Sequence, residues 1–118
     1  MTISSEKVSG VKHWISQKVS AIALMPFTIW FIIQIPNIFS MKHSDRTVWF
    51  SSDINLVLLV IFFCLASLHM KLGLTVVIED YIHSNSTRNL LLKALVFLTA
   101  IQVITVCTIL FLLRYKSI

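Results

Sequence analysis

Polar and apolar positions along this chain fall into long blocks, not into the short alternation of a strand or the single stripe of a surface helix. From Val19 to Phe39 there is no charged residue over 21 positions. At about 1.5 Å of rise per residue, a helix of that length spans roughly 30 Å, the thickness of a bilayer core. A second apolar run goes from Ile54 to Ile78, interrupted by His69 and Lys71, and a third from Ala94 to Leu113 carries no charge. The pattern predicts an all-α membrane protein with three transmembrane helices, at about 19–39, 54–78 and 91–113, after an N-terminal tail 1–18. The polar connections, 40–53 and 79–89, are too short to bury a core of their own, so one membrane domain over 1–118 is expected. The first run exceeds the roughly 7–15 residues of a signal-peptide core and lacks a small-x-small exit, so it reads as a retained helix. The tail contains Glu6 and no Arg, which argues against a transit peptide.

Composition supports the same class. Charged residues are only 13% of the chain, against about 25% in soluble domains. The net charge of +5 is no nucleic-acid footprint, because the cations form no stripe on one element. Nine of the ten flank the apolar runs, where lipid head groups are expected and where they set orientation. Lys7, Lys12, Lys18, Arg88 and Lys93 fall on one side; Lys42, Arg46, Arg114 and Lys116 fall on the other. Five against four leans narrowly toward a cytoplasmic N-terminus. Cys64 and Cys107 both lie inside apolar runs, with no CxxC or Cys/His cluster, so they read as small apolar residues at helix contacts.

His69 is the strongest chemical signal. An ionisable residue within a transmembrane segment is costly and is a functional candidate by default. It lies about fifteen residues into the second run. With about 100° of turn per residue, Gly73 stands about 40° from it, and Val76 and Asp80 each about 20°. One narrow stripe thus carries an imidazole, a residue without a side chain and, about 16 Å further along the axis, a carboxylate. A flat macrocycle ligated by His69 would need adjacent helix surface without bulk, which Gly73 supplies. The alternatives are a histidine hydrogen-bonded to a neighbouring helix and a glycine that permits close helix packing. His13, His43 and His83 fall outside the apolar runs. A bis-histidine haem would therefore take its second ligand from another chain and sit between subunits. Lys71 stands about 200° from His69, nearly opposite, which suits snorkelling or contact with a partner chain.

The second run ends in Ile78-Glu79-Asp80-Tyr81-Ile82-His83. Quinone reduction needs a hydrogen-bond donor to a carbonyl and two protons; a Tyr hydroxyl can donate, and a nearby carboxylate or His can organise it or pass protons. An interfacial belt with Tyr at head-group depth is the alternative reading.

The stretch His69-Met-Lys-Leu-Gly73-Leu-Thr-Val-Val-Ile-Glu-Asp80-Tyr81 resembles the second helix of the small membrane-anchor subunit family of succinate dehydrogenase, respiratory complex II. Its wording is most similar to the alphaproteobacterial and mitochondrial-type branch. His13-Trp14-Ile-Ser-Gln17-Lys18-Val-Ser20-Ala21 resembles that branch's approach to its first helix. The likeness extends over essentially the whole chain. It implies that His69 is one axial ligand of haem b iron, the other lying on a larger cytochrome b anchor subunit. It implies that Tyr81 hydrogen-bonds a ubiquinone carbonyl with support from Asp80, and that Gly73 borders the haem. Lys18 stands where the family commonly has Arg; the resemblance brings it near the haem propionates, with the charge kept and the bidentate fork lost. An interfacial anchoring cation is the other role for Lys18. An iron–sulfur subunit and a flavoprotein subunit would complete the path from succinate to ubiquinone, so this chain would catalyse nothing alone. A bacterial inner membrane, or a mitochondrial one, is the expected location. A fumarate reductase anchor, or a helical accessory or assembly subunit with no redox role, is the alternative function.

Overall fold

A computed structural model describes residues 5–116, with side chains from Val8 onward; Glu6 and Lys7, used above, lie outside the described side chains. The chain forms four helices: α1 (Ser5–Ser40), α2 (His43–Ser51), α3 (Asp53–Tyr81) and α4 (Asn85–Lys116). Three of them, α1, α3 and α4, are long and apolar enough to cross a membrane.

The helices outrun the apolar blocks that predict them. An apolar run marks the part that sits in lipid, whereas the backbone keeps its internal hydrogen bonds until something breaks the turn. In α1 nothing does so before Ser5, so most of the expected N-terminal tail is helix. Its 36 residues extend about 54 Å, well beyond the roughly 30 Å of hydrocarbon, so α1 tilts or projects beyond it. Pro26 and Pro36 lie inside α1 and leave the Ile22 and Ile32 carbonyls without their helical donors, an omission membrane helices tolerate. At the other junction Ile82 is extended and ends α3, so only residues 82–84 separate α3 from α4. Glu79, Asp80 and Tyr81 therefore belong to the last turn of α3 and not to a loop.

The short α2 is not foreseen by the apolar pattern, because it lies wholly in the polar connection 40–53. It is fixed by local bonds and aromatic contacts. Thr47 Oγ1 donates to the His43 carbonyl at 2.7 Å. Asn55 of α3 donates to the Trp49 carbonyl at 3.0 Å, and the Trp49 ring stacks on Trp30 of α1 at 6.2 Å.

α3 is the central helix, antiparallel to α1 on one side and to α4 on the other. The α1–α3 register is set by Gly73 beside Gln17, His69 against Ser20 and Phe62 stacked on Phe31 at 4.5 Å. The α3–α4 register is set by Cys64 facing Cys107 and by the ion pair between Asp53 and Arg114. The cysteines thus stand at a helix contact, as their apolar setting predicts. The outcome is an elongated bundle of 62 × 28 × 20 Å.

Burial runs opposite to that of a water-soluble domain. Among the described residues, the buried ones are Leu59, Leu95, Leu110, Ser20 and Ser67, while Ile22 and Ile104 are 67% and 65% exposed. Aliphatic surface on that scale is unfavourable in water and neutral in lipid. Two serines among the few buried side chains fit membrane helices that approach through small residues.

Candidate functional site

His69 is held from the side by α1. Its Nδ1 lies 2.9 Å from the Ser20 hydroxyl oxygen, and that hydroxyl donates to the Gln17 carbonyl one turn back, also at 2.9 Å. Ser20 is only 5% exposed, so this bond is shielded from competing water or head groups and is correspondingly strong. The local geometry follows from sequence. Serine in a helix bonds readily to a carbonyl one turn back. The antiparallel register then sets residues 17 and 20 against residues 73 and 69.

The imidazole lines a recess of about 380 Å³ together with Trp14, Gln17, Lys18 and Ala21. The Lys18 Nζ lies 5.7 Å from the centroid of the Trp14 ring, and Trp14 and Lys18 are both exposed. The recess is therefore walled by this chain on one side and faces outward on the other. Ser20 is the second residue of the first apolar run, so the ring sits near the polar border of α1 even though it is well inside the run of α3. That offset is what puts a lysine ammonium and a membrane-embedded imidazole on one surface.

Gly73 is not part of that recess wall. A Cβ on it would meet Gln17 Nε2 of α1 at 3.4 Å, an ordinary contact with the end of a flexible side chain. Within this chain Gly73 packs against the Gln17 side chain of α1. Gly73→Ala is accordingly expected to leave yield and thermal stability in mild detergent near wild type. Gly73→Leu is expected to wedge α1 from α3 at a cost of about 1–3 kcal/mol, read as a lower melting temperature of the purified protein.

A second recess, about 680 Å³, opens at the same end of the bundle between α1, the end of α3 and the start of α4. Glu79, Asp80 and Arg88 bring its charge, and His13 lines it from α1. Tyr81, 75% exposed, points elsewhere; adjacent helical residues diverge by about 100°. Asp80 and Tyr81 thus stand in one turn but do not meet in one recess. Trp14 and Gln17 line both recesses and form the partition between them. A third cavity, about 360 Å³, lies toward the opposite end among apolar side chains such as Phe31, Leu59, Phe63 and Leu110. It offers no polar group. Lys71 is half-buried and stands within about 20° of Cys64 around α3, hence on the α4 side.

Sequence reading misses Ser20, Gln17 and His13 as site residues. For Gln17 and Ser20 the signal is their spacing where α1 enters the first run, which matches His69/Gly73 once the two helices are set antiparallel.

The fold and this polar end define a polytopic membrane anchor with a histidine-bearing helix pair. Residues 2–109 match the succinate dehydrogenase/fumarate reductase transmembrane subunit family, and the chain belongs to that family. It is 36% identical over 92 residues to the succinate dehydrogenase hydrophobic membrane anchor subunit of Rickettsia typhi, covering 75% of this chain and 71% of that one. Against the protein of the same name from Rickettsia bellii it is 34% identical over 100 residues, 81% of this chain and 77% of that one. The succinate dehydrogenase membrane anchor subunit of Reclinomonas americana is 29% identical over 109 residues, 87% and 90% of the two chains. No solved structure matches significantly.

Proposed function

We propose that this chain is the small membrane anchor of a succinate:quinone oxidoreductase, supplying one axial ligand, His69, to a haem b shared with a larger cytochrome b anchor subunit. The carrying observation is the His69 ring, fixed by Ser20 at the polar border of α1 and lining an outward-facing recess beside Lys18. The residues present suit such a group: a neutral nitrogen ligand, an aromatic wall in Trp14 and a cation for carboxylate substituents. When bound, a haem b provides a one-electron carrier inside the membrane. This chain's own part is to hold the imidazole, exclude water along the α1–α3 seam and present Lys18 where acidic groups emerge. The partner anchor closes the open side of the recess. An iron–sulfur subunit and a flavoprotein subunit dock at the end where α1 begins and α3 finishes.

Ubiquinone is reduced at that same end. The exposed Tyr81 hydroxyl donates to a quinone carbonyl at the surface shared with the partners, and Asp80 supports it from the neighbouring recess by drawing protons through a polar cluster. The N-terminus and the second connection are on the cytoplasmic side of a bacterial inner membrane, or on the matrix side of a mitochondrial one.

Purification in mild detergent tests this reading as a whole. A haem-containing assembly with a flavoprotein and an iron–sulfur protein is the expected result; a chain that purifies without either would overturn it. For the quinone half, Tyr81→Phe is expected to reduce succinate:quinone turnover by about 10-fold, the scale of one lost hydrogen bond of about 1–1.5 kcal/mol. Succinate oxidation by a soluble dye acceptor should be unchanged. Equal quinone turnover would remove Tyr81 from the site.

A further inference from the structure

We propose that Ser20 is a positioning residue that fixes the tautomer of His69, placing the proton on Nδ1 and the lone pair on Nε2 for iron. This inference rests on the haem reading above and adds a residue to it. A serine hydroxyl has one hydrogen and two acceptor lone pairs. The Gln17 carbonyl, 2.9 Å from the Ser20 oxygen, can only accept, whereas a ring nitrogen can donate or accept, so the arrangement that satisfies both contacts sends the Ser20 hydrogen to Gln17. Toward His69 Nδ1, also 2.9 Å away, the Ser20 oxygen can then only accept. Nδ1 therefore carries the hydrogen, and the neutral ring keeps its free lone pair on Nε2. The burial of Ser20 at 5% keeps water from substituting for this bond. Metal-bound histidines generally donate their second ring nitrogen in this way, and the acceptor sets both ring orientation and ligand basicity. Here the acceptor comes from α1 while the ligand comes from α3, so helix packing and ligand chemistry are set by the same contact.

The test uses the intact complex carrying Ser20→Ala or Ser20→Thr, with His69 unchanged. Two quantities are read: the haem midpoint potential by optical titration, and the rate of haem transfer to excess apomyoglobin. Ser20→Ala removes the acceptor, makes the imidazole a poorer donor to ferric iron and raises the potential. It also weakens haem retention by about 10–100-fold, the usual effect of losing such an outer partner. Ser20→Thr keeps the hydroxyl and its bond to a carbonyl one turn back, so it restores both quantities. A Ser20→Ala complex with wild-type potential and transfer rate overturns the proposal. So does a Thr variant that behaves like the Ala variant, since volume and not the hydroxyl would then matter. Failure of the haem reading is separable: wild-type complex would hold no haem, or His69→Ala would keep it.

Discussion

Replacing His69 with alanine is expected to abolish the low-spin b-type absorption of the purified complex while leaving the three membrane helices inserted. The physical case is a separation of effects. The imidazole lines a recess that faces outward, so its removal opens little enclosed volume and costs less than the 2–5 kcal/mol of a large-to-small change in a sealed core. Ser20 is not orphaned, because its hydroxyl still donates to the Gln17 carbonyl. The α1–α3 seam also keeps its Gly73–Gln17 approach and its Phe31–Phe62 stack. What disappears is a ring nitrogen at the only histidine this chain places within an apolar run. The measurement is a reduced-minus-oxidised spectrum normalised to flavin. His83→Ala is the control: His83 is exposed in the connection between α3 and α4 and should leave the spectrum unchanged. A wild-type spectrum in His69→Ala would exclude it as the ligand.

The three spans are legible from uncharged block length alone, because lipid imposes a fixed apolar thickness on any helix that crosses it. Helix ends are less legible, since polar flanks such as Lys12–Lys18 remain helical without contributing to the apolar signal. α2 is invisible for a related reason. Its stability comes from Trp49 stacking on Trp30 and from Asn55 reaching the Trp49 carbonyl, contacts between segments that the local pattern does not pair.

The candidate site divides in the same way. His69 stands out because ionisable groups are rare at that depth, and Lys18 does come to the same recess. Helical phase alone puts His69, Gly73 and Asp80 on one stripe. Phase does not say which neighbour faces that stripe. With α1 there, Gly73 meets Gln17, and Asp80 falls into a separate recess with His13 and Arg88. Ser20 carries no chemical signal of its own in the sequence, because a serine near the start of an apolar run has many ordinary roles. Its contact with the imidazole appears only when the antiparallel register sets the two opposite each other.

Ser67→Leu is expected to destabilise the bundle more than any single lipid-facing change, by about 1–3 kcal/mol, the range for forcing bulk into a tight contact. Ser67 is the most enclosed side chain among the described residues, at 2% exposure. It stands about 60° from Cys64 around α3, on the side where Cys64 meets Cys107 of α4. Without a hydrophobic drive between helices in lipid, such close contacts between small residues carry much of the association. A leucine there pushes α3 off α4, and α3 also carries His69 on its α1 side. The expected phenotype therefore has two parts: a lower melting temperature in mild detergent and partial loss of the haem band. Ser67→Ala preserves the small volume and should retain both properties. Leu98→Ala, at a position 62% exposed, should change stability by no more than about 0.5 kcal/mol. If Ser67→Leu assembles and melts like wild type, α3 and α4 do not approach as closely as the bundle requires.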